Sequence, residues 1–378
     1  MKRLGVFLAR WNNLKTLLPV MHAAHARGIH ASVFCPFPPL TGSGKPELLA
    51  ANIVPALRRR WPWAEWSILK QGPGSWLSVD AMIAHGVVHD ADLIRKSGIP
   101  WVAVDHLHEN MWWYLTGHEH FWDPFHKVCI SGTEKKFAFL DNKALPTGYT
   151  ALDGPWNRVE EDRATYGLPA RYMLVGTAVR ASGIQSSLWQ AYFCRFPGFY
   201  KLISDYRGPS YGTILRVLKD YCLATGMAMV GKSRWKHEDH PAHGLFDHYF
   251  TDDPLDPHRA FRLMRGASAY AGGISGLAVE AMVARVPTLN WAYYSPILLD
   301  APGFRALRED LWVNGIWTCP GIGRLWRVDQ PGQWADFVDY METFGPTMHY
   351  HPPAADETEA RTIGYRGAAD RVLAACGL

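Results

Sequence analysis

The opening stretch of the chain constrains its fold more than any other. Residues 4–9 form an unbroken apolar run of strand length. Arg10-Trp11-Asn12-Asn13 breaks it as a loop, and Leu14, Leu17, Leu18 and Met21 then recur at helical spacing until Gly28. Ala31-Ser32-Val33-Phe34-Cys35 reads as a second strand. Two strands joined through a helix point the same way, so this start predicts a parallel sheet of the α/β class.

The alternation continues. Residues 80–84 read as a short strand ending at His85-Gly86, and a segment with Ala91, Leu93 and Ile94 leads to Gly98-Ile99-Pro100. Residues 101–104 and 127–131 are further strands. Asp153-Gly154-Pro155 is turn-rich and Glu160-Glu161-Asp162-Arg163 is charged, which marks a boundary, and a second series of strands begins at Tyr172. In that series Ile214, Leu215, Val217, Leu218 and Tyr221 trace a helix closed by Gly226, residues 227–230 and 248–250 are strands, and Asp256-Pro257 reads as the cap and first residue of a helix. A strand at 268–271 and another at 287–291 follow, and the last ~25 residues look helical.

The expected architecture is two doubly wound, Rossmann-like α/β domains facing a cleft. They are an N-terminal domain over 1–160 and a second domain over 161–350, with a C-terminal helix within 351–378 packing back on the first. A length of 378 residues suits two such domains. Hydrophobic residues at 48% and charged residues at 20% exclude a disordered chain. The six cysteines are scattered without a Cys-x-x-Cys, which excludes a disulfide scaffold and suits a reduced, cytoplasmic protein. No apolar run approaches the ~18 residues of a membrane span.

In doubly wound sheets, ligands bind where strands end at their carboxyl edge. The strongest such signal is Gly272-Gly273-Ile274-Ser275-Gly276, between a strand and a helix. Glycines let backbone N–H groups come close to a ligand, and a helix start favours a phosphate. Ser275 adds a hydroxyl donor, and Glu280 is placed to accept from a ribose hydroxyl; a tight turn with a solvated glutamate is the alternative. Lys232 and Arg234 follow another strand and would meet a phosphate, or are ordinary surface cations. In the first half, His85, His106 and His108 stand at strand ends with Asp105 beside them, which suits a general base near neutral pH. Trp11, Asn12 and Asn13, after the first strand, would line the acceptor side. His237, Glu238, Asp239, His240, His243, Asp247 and His248 lack any zinc spacing and read as a loop, so no metal site is expected. Arg58-Arg59-Arg60 reads as a solvated helix end before it reads as a polyanion patch, and a net charge of +4 permits an anionic ligand without requiring one.

Three of these segments, in this order, resemble glycosyltransferases of the two-domain GT-B fold, in particular the CDP-glycerol glycerophosphotransferases and capsule-polymer transferases. UDP-N-acetylglucosamine 2-epimerases are more distantly similar. The segments are His85-Gly86 through Gly98-Ile99-Pro100 to Asp105-His106, then Leu145 to Asp153, then Leu263 through Gly273-Ile274-Ser275-Gly276 to Glu280 and Val286-Pro287. The resemblance implies a nucleotide-activated donor (UDP- or CDP-linked) on the second domain, an acceptor on the first, and no obligatory cofactor or metal.

The expected reaction is transfer of a sugar from a nucleotide sugar to an acceptor hydroxyl. Asp105 or His106 takes the proton, and the glycine turn with Lys232 or Arg234 stabilises the departing diphosphate. The aromatic load (17 Trp, 16 Tyr, 16 Phe) suits a sugar or base, so either a surface polysaccharide or a modified DNA base could be the acceptor. Glycerophosphate transfer from CDP-glycerol, sugar-nucleotide 2-epimerisation, and nucleotide binding without catalysis stand as the alternatives.

Overall fold

β1 (Arg3–Phe7) lies at the centre of the first sheet, flanked in parallel by β2 (His30–Phe37) and β4 (Ala81–His85). This arrangement is seen in a computed structural model. The structure describes residues 2–37, 49–70, 78–85, 91–104, 122–130, 142–154, 158–176, 211–233, 243–272, 277, 280–281, 286–290, 312–313, 316–317, 325–327, 331–344 and 366–378. The chain divides into two compact units. Unit 1 comprises Met1–Gly154, Pro254–His258 and Asp356–Leu378, and unit 2 comprises Pro155–Asp253 and Arg259–Ala355.

Among the described residues, unit 1 carries a seven-stranded sheet in the order β3-β2-β1-β4-β5-β6-β7, all parallel. Its other strands are β3 (Glu65–Lys70), β5 (Trp101–Val104), β6 (Lys127–Ile130) and β7 (Ala144–Pro146). Register follows the pleat. Phe7, Phe34, Met82, Ala84, Trp101, Ala103, Val128 and Ile130 share one buried face. Helix α1 (Leu14–Ala26) buries Leu14, Leu17, Leu18 and Met21, and the C-terminal helix Ala368–Ala375 packs beside it. Helix α2 is Val54–Arg60 and α3 is Ala91–Ser97. Gly28 and Gly98 follow helices with φ of 71° and 66°, a left-handed conformation that only glycine adopts freely.

Asp153, the penultimate residue of the long first segment of unit 1, reaches the C-terminal helix. Its carboxylate accepts from the backbone N–H of Gly367 at 3.0 Å and of Ala369 at 2.7 Å. The helix has no cap of its own, so a side chain more than two hundred residues away performs that task.

In unit 2 the order among the described residues is β10-β9-β8-β11-β12-β15-β14-β13. The strands are β8 (Tyr172–Gly176), β9 (Ala228–Lys232), β10 (His248–Phe250), β11 (Ala269–Gly272), β12 (Thr288–Asn290), β13 (Trp312–Val313), β14 (Ile316–Trp317) and β15 (Leu325–Arg327). β10 through β15 pair in parallel, and β14 and β13 turn the edge antiparallel. Helices are α4 (Val159–Tyr166), α5 (Tyr211–Thr225), α6 (Arg259–Met264) and α7 (Pro331–Phe344). On one sheet face Met173, Val175, Met229, Ala269, Ala271 and Leu289 pack with Ile214, Leu215, Leu218 and Cys222 of α5 and Phe337 of α7. On the other side α4 and α6 are tied by buried Asp162, which accepts from Arg262 at 2.7 Å and from Arg265.

One expected helix start is displaced. Asp256-Pro257 does not open a helix; α6 begins at Arg259. Residues 254–258 belong to unit 1, and the Arg259–Asp253 ion pair (2.6 Å) closes the base of that excursion, so tertiary contacts override the local capping signal. The two-domain α/β expectation is met: each unit is a Rossmann-like parallel sheet flanked by helices.

Candidate functional site

Each sheet has a switch point between parallel neighbours where the strand order reverses, between β1 and β4 in unit 1 and between β8 and β11 in unit 2. The crevice outside the carboxyl ends of those strands is where an open α/β sheet binds its ligand.

In unit 1 this edge is formed by the loop after β1 and the last residue of β4. Trp11–Asn13 make a 3-10 turn, with the Asn13 N–H donating to the Arg10 carbonyl at 3.1 Å. Asn12 is exposed and Asn13 half-buried, but Trp11 is 3% exposed, so its ring belongs to the core rather than to an acceptor platform. His85 closes β4 and is buried. Burial pushes its pKa down to about 3, and the positive charges of Lys15 and then Arg10 add to the effect, so the ring is neutral at neutral pH. Arg10 and Lys15 bracket the expected asparagines, and sequence reading missed both. The signal available was a cation on either side of a strand-to-helix loop. Asp105, His106 and His108 lie outside the described residues.

In unit 2, β8 ends at Gly176 and β11 at Gly272, cross-strand partners at the switch point. Tyr270, on the same pleat as Gly272 and fully buried, lays its ring toward this edge. A methyl group on Gly272 would fall on the Tyr270 hydroxyl and 2.6 Å from its Cζ, and a methyl on Gly176 would meet the same hydroxyl. The absence of a side chain at Gly272 is therefore explained by Tyr270, whether or not a ligand comes near. Beyond it the chain is helical at Leu277, Glu280 and Ala281, and Glu280 is buried rather than solvated. Gly273, Ser275, Gly276 and Arg234 lie outside the described residues.

Lys232, expected as a cation for phosphate, ends β9 with its ammonium held inside the protein. It donates to the Ser233 carbonyl at 2.6 Å and forms an ion pair with Asp252. Asp247 is likewise committed, accepting from Lys219 at 2.8 Å and from the Met229 N–H at 2.8 Å. Among the described residues no three His, Cys, Asp or Glu side chains gather as metal ligands, and His237, Glu238, Asp239 and His240 lie outside them. Arg58 donates to the Trp66 carbonyl at 2.7 Å, so the Arg58–Arg60 run is partly used within the fold. No described helix is long and apolar enough to cross a membrane.

No protein-family model matches this sequence, and no curated protein matches it. Solved structures match it over the full length, and they define its class: the fold is GT-B, two Rossmann-like domains as in nucleotide-sugar enzymes. The UDP-GlcNAc 2-epimerase of Methanocaldococcus jannaschii, in complex with UDP-GlcNAc and UDP, is similar with a TM-score of 0.53 and 13% identity, covering 98% of each chain. The wall teichoic acid polymerase TagF with CDPG gives a TM-score of 0.54 at 9% identity, over 100% of this chain and 89% of that one. Arabidopsis thaliana UGT89C1 complexed with UDP-L-rhamnose gives 0.50 at 11% identity, over 99% of each. At such identities the likeness is one of fold.

Proposed function

We propose that the chain is a glycosyltransferase that moves a sugar from a UDP- or CDP-linked donor held by unit 2 to an acceptor hydroxyl presented to unit 1. The observation that carries this reading is the end of β11. Gly272 closes a central strand at the switch point, and Glu280, among the helical residues that follow, is buried. In this reading the Gly273–Gly276 segment offers backbone N–H groups to the diphosphate, and Ser275 adds its hydroxyl. Glu280 accepts from a ribose hydroxyl. Arg234 supplies the cation, since Lys232 is engaged with Asp252.

On unit 1, Arg10 and Lys15 favour an acceptor that carries phosphate or another anionic group, which fits a teichoic-type polymer as well as DNA. Asp105 or His106 takes the proton of the attacking hydroxyl while the nucleoside diphosphate leaves. His85 holds its proton too weakly for that task and serves as a neutral hydrogen-bonding wall.

Calorimetric titration with UDP, CDP, UDP-GlcNAc and CDP-glycerol tests the donor half, with saturable binding expected for one nucleotide class. Binding of none of them sinks the reading. Sugar transfer to duplex DNA or to a polyol-phosphate polymer then identifies the acceptor. Isomerisation of the donor without acceptor would mark a 2-epimerase instead, and release of glycerophosphate from CDP-glycerol a glycerophosphotransferase.

A further inference from the structure

Helix α1 contains proline at its sixth position, Pro19. An α-helix is held by N–H groups donating to the carbonyl four residues earlier, and proline has no N–H. The carbonyl that loses its donor is that of Lys15, in the first turn. His258 stands at this point: its Nε2 lies 3.2 Å from the Lys15 carbonyl oxygen, and because a carbonyl only accepts, the ring donates. His258 arrives on the short segment Pro254–His258, which lies between β10 and α6 in sequence yet belongs to unit 1. The base of the segment is fixed on both sides. Arg259 pairs with Asp253 at 2.6 Å and donates to the Thr251 carbonyl at 3.0 Å.

From this arrangement we infer that His258 is a positioning residue of the unit 1 site. It replaces the donor that Pro19 lacks and so fixes the first turn of α1, which carries Lys15 to the carboxyl edge of β1. The inference rests on the reading that Lys15 and Arg10 receive an anionic group there. Helix interiors disfavour proline because of the missing bond and the ring's clash with the preceding turn. A side chain held by a clamped loop restores the bond without restoring an N–H that the helix alone could satisfy. The placement of Lys15 thereby depends on a segment distant in sequence.

The test is a two-by-two set: wild type, His258→Ala, Pro19→Ala and the double variant, all as full chains. Three quantities are read: amide exchange over residues 14–18, the pKa of the His85 ring by NMR, and binding of inorganic phosphate and UDP. The charge of Lys15 helps hold the His85 pKa down, so displacement of Lys15 raises it, whereas a general loosening elsewhere in the fold would not. His258→Ala should speed exchange in the first turn of α1 about tenfold, raise the His85 pKa and weaken phosphate at least threefold, with UDP affinity unchanged. Pro19→Ala in that background supplies an N–H to the Lys15 carbonyl and should return all three to near wild type. An unchanged His85 titration in His258→Ala, or no rescue by Pro19→Ala, overturns the inference while leaving the donor reading intact. Lys15→Met is run alongside. Phosphate binding equal to wild type in that variant removes the anionic-acceptor reading, and the inference with it.

Discussion

Lys232 and Asp252 form an ion pair at the carboxyl edge of the unit 2 sheet, with the lysine 4% exposed and the aspartate 31%. The ammonium also donates to the Ser233 carbonyl at 2.6 Å, so this lysine secures the ends of β9 and of the strand beside it. Removing it strands a partly buried carboxylate. Lys232→Met is expected to lower stability by about 2 kcal/mol, below the 3–5 typical of fully buried pairs because Asp252 keeps some solvent. Urea denaturation measures this. Donor affinity, read below the transition, should stay within about threefold of wild type. A far larger loss of affinity with unchanged stability would return Lys232 to the diphosphate.

Folding should depend on pH through His85. Its pKa is about 3 in the folded protein against about 6.5 when unfolded, so between those values the unfolded chain binds more protons. Stability contributed by keeping the ring neutral is complete above pH 6.5 and is lost as pH falls, at a slope of about 1.4 kcal/mol per pH unit well below 6.5. Going from pH 7 to 5.5 should cost about 1 kcal/mol from this group alone. A His85→Gln variant should lack that increment in paired urea titrations, and an identical pH slope in the two proteins counts against the neutral buried ring.

The cap supplied by Asp153 predicts local unfolding. Asp153→Ala frees the N–H groups of Gly367 and Ala369, and loss of an N-cap costs about 1–2 kcal/mol. Exchange should rise first in residues 367–373, before the sheet is affected. Asp153→Asn keeps one acceptor oxygen where the carboxylate uses both, and should retain only part of the protection.

Glu280 gives the sharpest test of the donor site. If its carboxylate accepts from the ribose, wild type should prefer UDP over 2′-deoxy-UDP, by an amount fitting a hydrogen bond to a charged group, about 1.5–3 kcal/mol. Glu280→Gln should bind UDP about tenfold more weakly and lose that preference. Equal preference in both proteins would detach Glu280 from the nucleotide. The same titration run with CDP and 2′-deoxy-CDP covers the other base.

The steric unit at the switch point behaves differently at its two glycines. With the hydroxyl removed, Gly176→Ala meets the Tyr270 ring no closer than 3.2 Å, while Gly272→Ala still meets it at 2.6 Å. Tyr270→Phe is therefore expected to restore most of the stability lost in Gly176→Ala and little of that lost in Gly272→Ala. Thermal melts of the four variants check this, and equal rescue at both positions contradicts the packing described.

Local chemistry was enough to determine the parallel sheets. Apolar runs such as Tyr172 to Gly176 cannot alternate inward and outward, and glycines such as Gly28 and Gly226 mark helix ends because only they turn left-handed at no cost. The strand ends that carry the candidate site were legible for the same reason, since a strand end needs no distant partner to be seen. Tertiary structure alone decided what those ends do. Trp11 is a buried core residue, Lys232 is neutralised by Asp252 just past the end of the neighbouring strand, and Asp256-Pro257 fails to start a helix because its segment belongs to unit 1. β13 and β14, two residues each, carry strand-favouring residues (Trp312-Val313 and Ile316-Trp317) but are too short to stand alone, and pairing holds them. Charge and burial are properties of neighbours brought together from far along the chain, so the ionisation of His85 and the cation pair beside it became visible only once β1, α1 and β4 were assembled.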